Sequence, residues 1–211
     1  EFSLLTYNVL ANAYADWQPV PKEVLPWPRR QRLIVEEIDR LSPDLVCLQE
    51  LDQFESINAE LGSSKRRYGT GHFTKRTVSF KGDGCAIWVA RDKFDIVEIQ
   101  TVTFDCLADS NNSLQGLLKS KSQRSDLLTG NVALLAVLQE RAPSRRVVVL
   151  AVPQLHWRPA LTHVKMLQAA WLVQQVHRKC LKLIKHGLVD DLQQISCILS
   201  GDFNSTPSSA V

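Results

Sequence analysis

Asn8, Glu50, Asp202 and Asn204 each follow closely on a short apolar run: Phe2 to Tyr7, Leu45 to Leu48, and Ile195 to Leu199. Taken singly, Asn8 or Gly201-Asp202 reads as a turn and Glu50 as a solvated strand end. Taken together they describe a different pattern, in which three strands deliver oxygen-bearing side chains at their carboxyl ends. In open α/β architectures those ends line the crevice where ligands bind, so residues far apart in sequence meet there. Two carboxylates sharing a small volume repel and raise one another's pKa unless a cation lies between them. The ligand set is all oxygen, without His or Cys at these strand ends, which favours Mg²⁺, or Mn²⁺, over zinc. Glu50 is then the principal metal ligand, and Asp202 orients the attacking water with a share in the metal. Asn8 and Asn204 donate hydrogen bonds to phosphate oxygens where charge develops. The chemistry expected of such a set is phosphoester hydrolysis.

The elements that must position these groups can be read from the apolar pattern. Phe2–Tyr7 reads as a strand, and Gln18–Pro28 as a loop that feeds a helix with Pro28 at its first position. From Arg29 to Leu41 the residues Leu33, Ile34, Ile38 and Leu41 recur at helical spacing, and Ser42-Pro43 closes the element. Leu45–Leu48 has the unbroken apolar character of a strand buried on both faces, delivering Gln49 and Glu50. Cys85–Ala90, Val132–Leu138, Val147–Val152 and Ile195–Leu199 are further strands. Thr162–Lys185 predicts a long helix with Val173, Val176, Cys180 and Ile184 on one stripe and Lys165, Arg178, Lys179, Lys182 and Lys185 largely elsewhere. Residues 109–126 are rich in Ser, Asn, Gln and Lys and read as a mobile polar loop inside one domain spanning 1–211. Strands interleaved with helices, some at hairpin spacing, give an α/β fold with mixed sheets.

Composition narrows the class without choosing a partner. A balance of 25 basic against 22 acidic residues tolerates a polyanion but does not predict one. No apolar run reaches the roughly 20 residues that cross a bilayer, so no membrane span is expected. Five cysteines, an odd number without a CxxC pair, argue against a disulfide framework or zinc ribbon. Cys47, Cys85 and Cys197 sit in strand-like runs and read as core residues of a reducing compartment. Lys65-Arg66-Arg67, Lys75-Arg76 and Lys119, Lys121 and Arg124 form either a path for an RNA backbone or a solvated surface. Trp27 and Trp157 are candidates for stacking on bases, and Trp88 reads as core.

Longer strings carry a resemblance. Thr6-Tyr7-Asn8-Val9-Leu10-Ala11, Tyr14-Ala15, Leu48-Gln49-Glu50, Asp83-Gly84-Cys85-Ala86-Ile87, Asn131, His156-Trp157-Arg158-Pro159, Val164-Lys165-Met166-Leu167-Gln168 and Ser200-Gly201-Asp202-Phe203-Asn204-Ser205-Thr206-Pro207 occur in that order. They resemble the endonuclease/exonuclease/phosphatase superfamily, most closely its CCR4-type deadenylases and their Angel, nocturnin and 2′-phosphodiesterase relatives. The resemblance implies an αβ sandwich of two mixed β-sheets flanked by helices. It also implies a Mg²⁺-dependent 3′-to-5′ exoribonuclease acting on RNA, with poly(A) as substrate and mRNA-decay complex subunits as partners, in the cytoplasm or nucleus. Asp83 and Asn131 match recurrent family positions that either contact substrate or fix a strand end. A phosphodiesterase or phosphatase acting on 2′,5′-oligoadenylate or a nucleotide cofactor fits the same motifs.

Two departures stand out against the family pattern. The family's Asn-x-His step at the end of one strand reads Val152-Pro153-Gln154 here. Gln154 can donate a hydrogen bond to phosphate but cannot carry the charge of an imidazolium. Strand alternation puts Val152, Gln154 and His156 on one face, so Gln154 and His156 both look toward the substrate. This departure keeps open a catalytically impaired RNA-binding scaffold. The family's last catalytic elements, an aspartate and a Ser-Asp-His-like motif, belong after the Gly-Asp-Phe-Asn segment. The chain is therefore expected to be an excerpt, incomplete at its C-terminal end, with activity residing in the intact protein.

Overall fold

A computed structural model of the chain describes residues 1–62, 67–78, 82–109, 124–206 and 208. Lys65, Arg66, Lys119 and Lys121, and most of the expected polar loop, lie outside the described residues.

Sheet one has the order β1-β2-β4-β3, built from β1 (Leu4–Asn8), β2 (Leu45–Gln49), β3 (His72–Lys75) and β4 (Gly84–Val89). Sheet two has the order β5-β6-β7-β8, built from β5 (Phe94–Thr103), β6 (Val132–Glu140), β7 (Val147–Pro153) and β8 (Ile195–Leu199). Both are mixed. β1 runs parallel to β2 and β7 parallel to β8, while the other neighbours are antiparallel. The helices are α1 (Asn12–Ala15), α2 (Trp27–Leu41), α3 (Phe54–Leu61) and α4 (Thr162–Lys185).

The alternation of side chains along each strand sorts the apolar residues into three layers. Leu45, Cys47, Cys85 and Ile87 meet Leu134, Ala136, Val148 and Leu150 between the sheets. Their neighbours Val46, Leu48, Ala86 and Trp88 turn outward onto Ile34, Val35 and Ile38 of α2 and Ile57 and Leu61 of α3. On the far side Leu135, Val137, Val149 and Ala151 face Leu167, Leu172, Val176 and Cys180 of α4. The result is an αβ sandwich with helices on both outer faces. Strands flanked by apolar material on both sides must be apolar at every position, which is why β2, β4, β6 and β7 read as continuous runs. Each large side chain taken out of water there contributes about 1.5–3 kcal/mol.

Several expectations need correction. α2 begins at Trp27, with Pro28 one position further in, where its missing N–H still costs nothing. Leu33 and Leu41 stay exposed because Ile34, Val35 and Ile38 fill the face toward sheet one. On α4 the buried stripe is Leu172, Val176, Cys180 and Leu183, and Val173 points outward. Lys165 and Lys179 are buried, not solvated, since their ammonium groups reach Asn204 O and Glu98 Oε1 across the helix–sheet seam. Cys197 is exposed, unlike Cys47 and Cys85, because β8 is an edge strand of its sheet.

Candidate active site

The two parallel pairs explain how the polar strand ends meet. Parallel neighbours finish at the same edge of their sheet, so β1 and β2 present Asn8 and Glu50 together, with Asn8 in register with Gln49. β7 and β8 do the same for Gln154 and Asp202, which pair as a bridge just beyond the strands. Face-to-face packing then sets one pair against the other. Asn8 Nδ2 donates to Asp202 Oδ2 at 2.8 Å, and Gln154 Nε2 donates to Glu50 Oε1 at 3.0 Å. Both bonds cross from one sheet to the other.

Each strand turns sharply as it delivers its residue. Leu10, Glu50 and Asn204 have positive φ of 57°, 52° and 48°. That left-handed region is unfavourable for residues with a side chain. Local hydrogen bonds hold these turns: Asn8 Oδ1 accepts from Leu10 N at 3.0 Å, and Asp202 Oδ1 accepts from Asn204 N at 2.8 Å. Asn204 is also anchored through its amide, which donates to Leu155 O at 2.9 Å, and through its carbonyl, which accepts from Lys165 Nζ at 2.8 Å.

The electrostatics follow from this crowding. Burial, then the negative charges of Asp83 and Asp202, raise the Glu50 carboxyl pKa against the lowering effect of hydrogen bonds from Asn8 and the Ala11 backbone. Glu50 therefore carries its charge at a disadvantage, mainly because it is buried. Two carboxylates with amide and water oxygens around them suit a hard divalent cation, which typically takes one or two carboxylates and keeps several waters. Among the described residues no group of three or more His, Cys, Asp and Glu side chains is placed to hold a metal. The protein's share of such a ligand set would be Glu50 and Asp202, leaving other positions for water or a phosphate oxygen.

A cleft of about 500 Å³ opens over this rim, with Asn8, Glu50, Gln154 and Asn204 among its walls. Asp83 and Asn131 are buried behind it. Asn131 Nδ2 donates to Gln154 O at 2.9 Å, fixing the strand end that carries Gln154. Asp83 accepts from Tyr14 Oη at 3.2 Å and faces Arg76 Nη1 at 3.7 Å. His156 does not join Gln154 on the cleft wall. Alternation is lost past Pro153, where Leu155 N bonds Asp202 O and His156 N donates to Gln168 Oε1 at 2.8 Å. The His156 ring is buried, and neither ring nitrogen has a hydrogen-bond partner among the described residues. Burial first, then the positive charges of Arg158, Arg76 and Lys165, push its pKa down to about 4. It is neutral near pH 7 and supplies no cation to replace the missing imidazolium at position 154.

Sequence reasoning passed over several residues that line the cleft: Leu10, Tyr14, Trp17, Gln18 and, as a wall residue, Arg76. They stand on loops, α1 or just past β3, where neither periodicity nor strand-end position marks them. The Thr6–Ala11 and Tyr14-Ala15 strings and the Lys75-Arg76 charges hinted at Leu10, Tyr14 and Arg76, and nothing marked Trp17 or Gln18.

Two mixed sheets flanked by helices, with oxygen-bearing residues at the ends of their parallel pairs, make this an αβ sandwich with a polar strand-end site. Residues 5–211 match the Endonuclease/Exonuclease/phosphatase family, and the chain belongs to it. Within the family its similarities are to the CCR4-type branch. It is 29% identical to the CCR4-Not complex 3′-5′-exoribonuclease subunit Ccr4 of Mycosarcoma maydis over all of this chain and 34% of that protein. It is 28% identical to the carbon catabolite repressor protein 4 homolog 4 of Arabidopsis thaliana, again over all of this chain and 54% of the relative. The chain thus spans between about a third and just over half of these two relatives' length. Among solved structures, ANGEL2, a 2′,3′-cyclic phosphatase in complex with adenosine-2′,3′-vanadate, superposes with a TM-score of 0.74 at 25% identity. That match covers 99% of this chain and 55% of ANGEL2. The human nocturnin catalytic domain with bound sulfate shares the fold at a TM-score of 0.69 and 24% identity, over 98% of this chain and 66% of that one.

Proposed function

We propose that the intact protein is a Mg²⁺-dependent 3′-to-5′ exoribonuclease that hydrolyses phosphodiester bonds of RNA, with poly(A) tails as substrate. The observation that carries this reading is the pair of cross-sheet hydrogen bonds, Asn8 to Asp202 and Gln154 to Glu50, which gathers four strand ends at one place, with Asn8, Glu50 and Gln154 on the cleft wall. The similarity to a Ccr4 exoribonuclease subunit supports RNA as the substrate and an mRNA-decay assembly as the setting.

Glu50 and Asp202 would hold the metal, whose chemistry there would be Lewis-acid polarisation of a phosphate oxygen and activation of a water. Asn8 and the Asn204 backbone fix the rotation of the Asp202 carboxylate beside the cleft wall, and Asp202 so held orients the attacking water. Asn204 is held in its turn by Leu155 and Lys165 and lines the wall where phosphate oxygens gain charge. Arg76 adds a positive charge to the same wall. The test is AMP release from an oligo(A) substrate by the full-length protein, with and without Mg²⁺. Release that depends on Mg²⁺ is expected; none would sink the proposal.

A second substrate is favoured by one observation, the similarity to ANGEL2, a 2′,3′-cyclic phosphatase. Opening of a 2′,3′-cyclic end uses the same attack on phosphorus. Assaying RNA with 3′-hydroxyl against 2′,3′-cyclic ends separates the two.

A further inference from the structure

Of the chain's five tryptophans, two stand out as exposed, and both border the same cleft. Trp17 is 73% and Trp157 60% exposed, whereas Trp88 is completely buried. Indole rings left in water next to a polar rim mark a surface that receives something apolar. These rings are also held from behind. Trp17 follows α1, where Tyr14 packs 6.1 Å from its ring and donates to the buried Asp83. Arg158 places its guanidinium 5.5 Å over the Trp157 ring, and the preceding residue is tied to Gln168. The lip is thus built on anchored elements and sits next to the phosphate-handling strand ends.

We propose that Trp17 and Trp157 stack on the nucleobase of the nucleotide whose phosphodiester is cleaved, and that the site ranks bases by stacking area and not by a hydrogen-bond code. This rests on the phosphodiesterase reading above. A planar heteroaromatic joined to a phosphate is the ligand that satisfies both kinds of lining, the two indole rings and the oxygen-rich strand ends. Stacking tolerates any base because every base has a π-face. A code needs fixed bidentate donors and acceptors. The polar side chains lining the cleft are largely committed: Asn8 and Gln154 to Asp202 and Glu50, and Tyr14 and Arg76 to Asp83. That leaves the amide of Gln18, a lining residue next in sequence to Trp17, and an amide that can turn over pairs with the edge of any base. Purine ends are therefore preferred to pyrimidine ends, with adenine and guanine treated nearly alike.

The experiment uses short single-stranded RNAs that differ only in the 3′-terminal nucleotide (A, G, C, U, abasic or 2-aminopurine) and measures steady-state release by the full-length protein. Trp17→Ala and Trp157→Ala should each raise KM by about 5- to 100-fold, the usual cost of one lost stacking partner. kcat should stay within about threefold, as for a loss of binding shared by ground and transition state. Trp17→Phe and Trp157→Phe should recover most of the loss, which also guards against a variant that simply misfolds. The 2-aminopurine end should be quenched on binding by the wild type and not by the alanine variants. Unchanged KM in both alanine variants, or an abasic end cleaved as well as an adenosine end, overturns the stacking lip while leaving the phosphodiesterase reading standing. A strong preference for adenine over guanine overturns the ranking by area. A wild type that cleaves none of these RNAs overturns both readings.

Discussion

Replacing Asn8 tests the centre of the site most directly, since its amide sits between the two carboxylates. In Asn8→Ala the donor to Asp202 Oδ2 at 2.8 Å disappears, as does the hydrogen bond to Glu50. A hydrogen bond to a charged group is worth about 1.5–3 kcal/mol. Losing one oriented carboxylate at that value lowers kcat/KM by about 10- to 150-fold. The fold should lose far less, about 1 kcal/mol, for the acceptor that Asn8 Oδ1 offers Leu10 N. Asn8→Asp separates the two effects: it keeps that acceptor but sets a third carboxylate beside Asp202 and Glu50. Neighbouring carboxylates raise one another's pKa, so at neutral pH they share a proton. This variant should fall further than Asn8→Ala at low Mg²⁺. It should recover partly as pH rises through the elevated pKa, or as Mg²⁺ is increased. The assay is initial rate of nucleotide release across a Mg²⁺ titration at two pH values, with urea unfolding as the control. An Asn8→Ala enzyme within about twofold of wild type would refute the role given to the amide.

Three further outcomes concern stability. Burial and the nearby cations push the His156 pKa down to about 4, below the ordinary imidazole value of 6.5 that the unfolded chain regains. The unfolded chain therefore takes up a proton first, and stability declines as pH falls from 6.5 toward 4. A shift of that size is worth about 3 kcal/mol; urea midpoints across that range should show the slope, and His156→Phe should flatten it. Trp88→Ala empties the layer between sheet one and its helices and removes the indole donor to Asn58, so about 3–5 kcal/mol should be lost in equilibrium unfolding. Arg76→Met takes the cation from the fully buried Asp83, which keeps the Tyr14 hydroxyl, and should cost about 3–5 kcal/mol, whereas Arg76→Met with Asp83→Leu should restore most of it; equal losses in the single and double variants would show that the ion pair is not the cause.

The sequence was most legible where one physical rule acted alone. β2, β6 and β7 are buried by the sandwich and β8 lies half-buried at its edge, and their apolar runs announced the strands and the strand ends that carry Glu50, Gln154 and Asp202. β5 was missed because it is an edge strand, mostly solvent-facing, and a register shift between Ile96 and Glu98 breaks its alternation. β3 and α3, of 4 and 8 residues, are too short for a period to declare itself. Lys165 and Lys179 misled for another reason: whether a lysine on α4 is solvated depends on a carbonyl or carboxylate that the chain supplies from 39 or 81 residues away. The same distance hid the link between Asp83 and Tyr14, 69 residues apart. Strand-end chemistry can be read locally; what holds it in place is a tertiary fact.

The left-handed backbones at Leu10, Glu50 and Asn204 set up a conflict for anyone breeding this protein for heat resistance. Glycine at any of these positions relaxes the turn, and positions that strain the chain are the ones where substitution most easily gains stability. Yet Glu50 and Asn204 are the side chains the cleft is built around. A selection scored on survival at high temperature alone would drift toward a sturdier molecule with a blank rim, so such a library has to be read out on hydrolysis at every round.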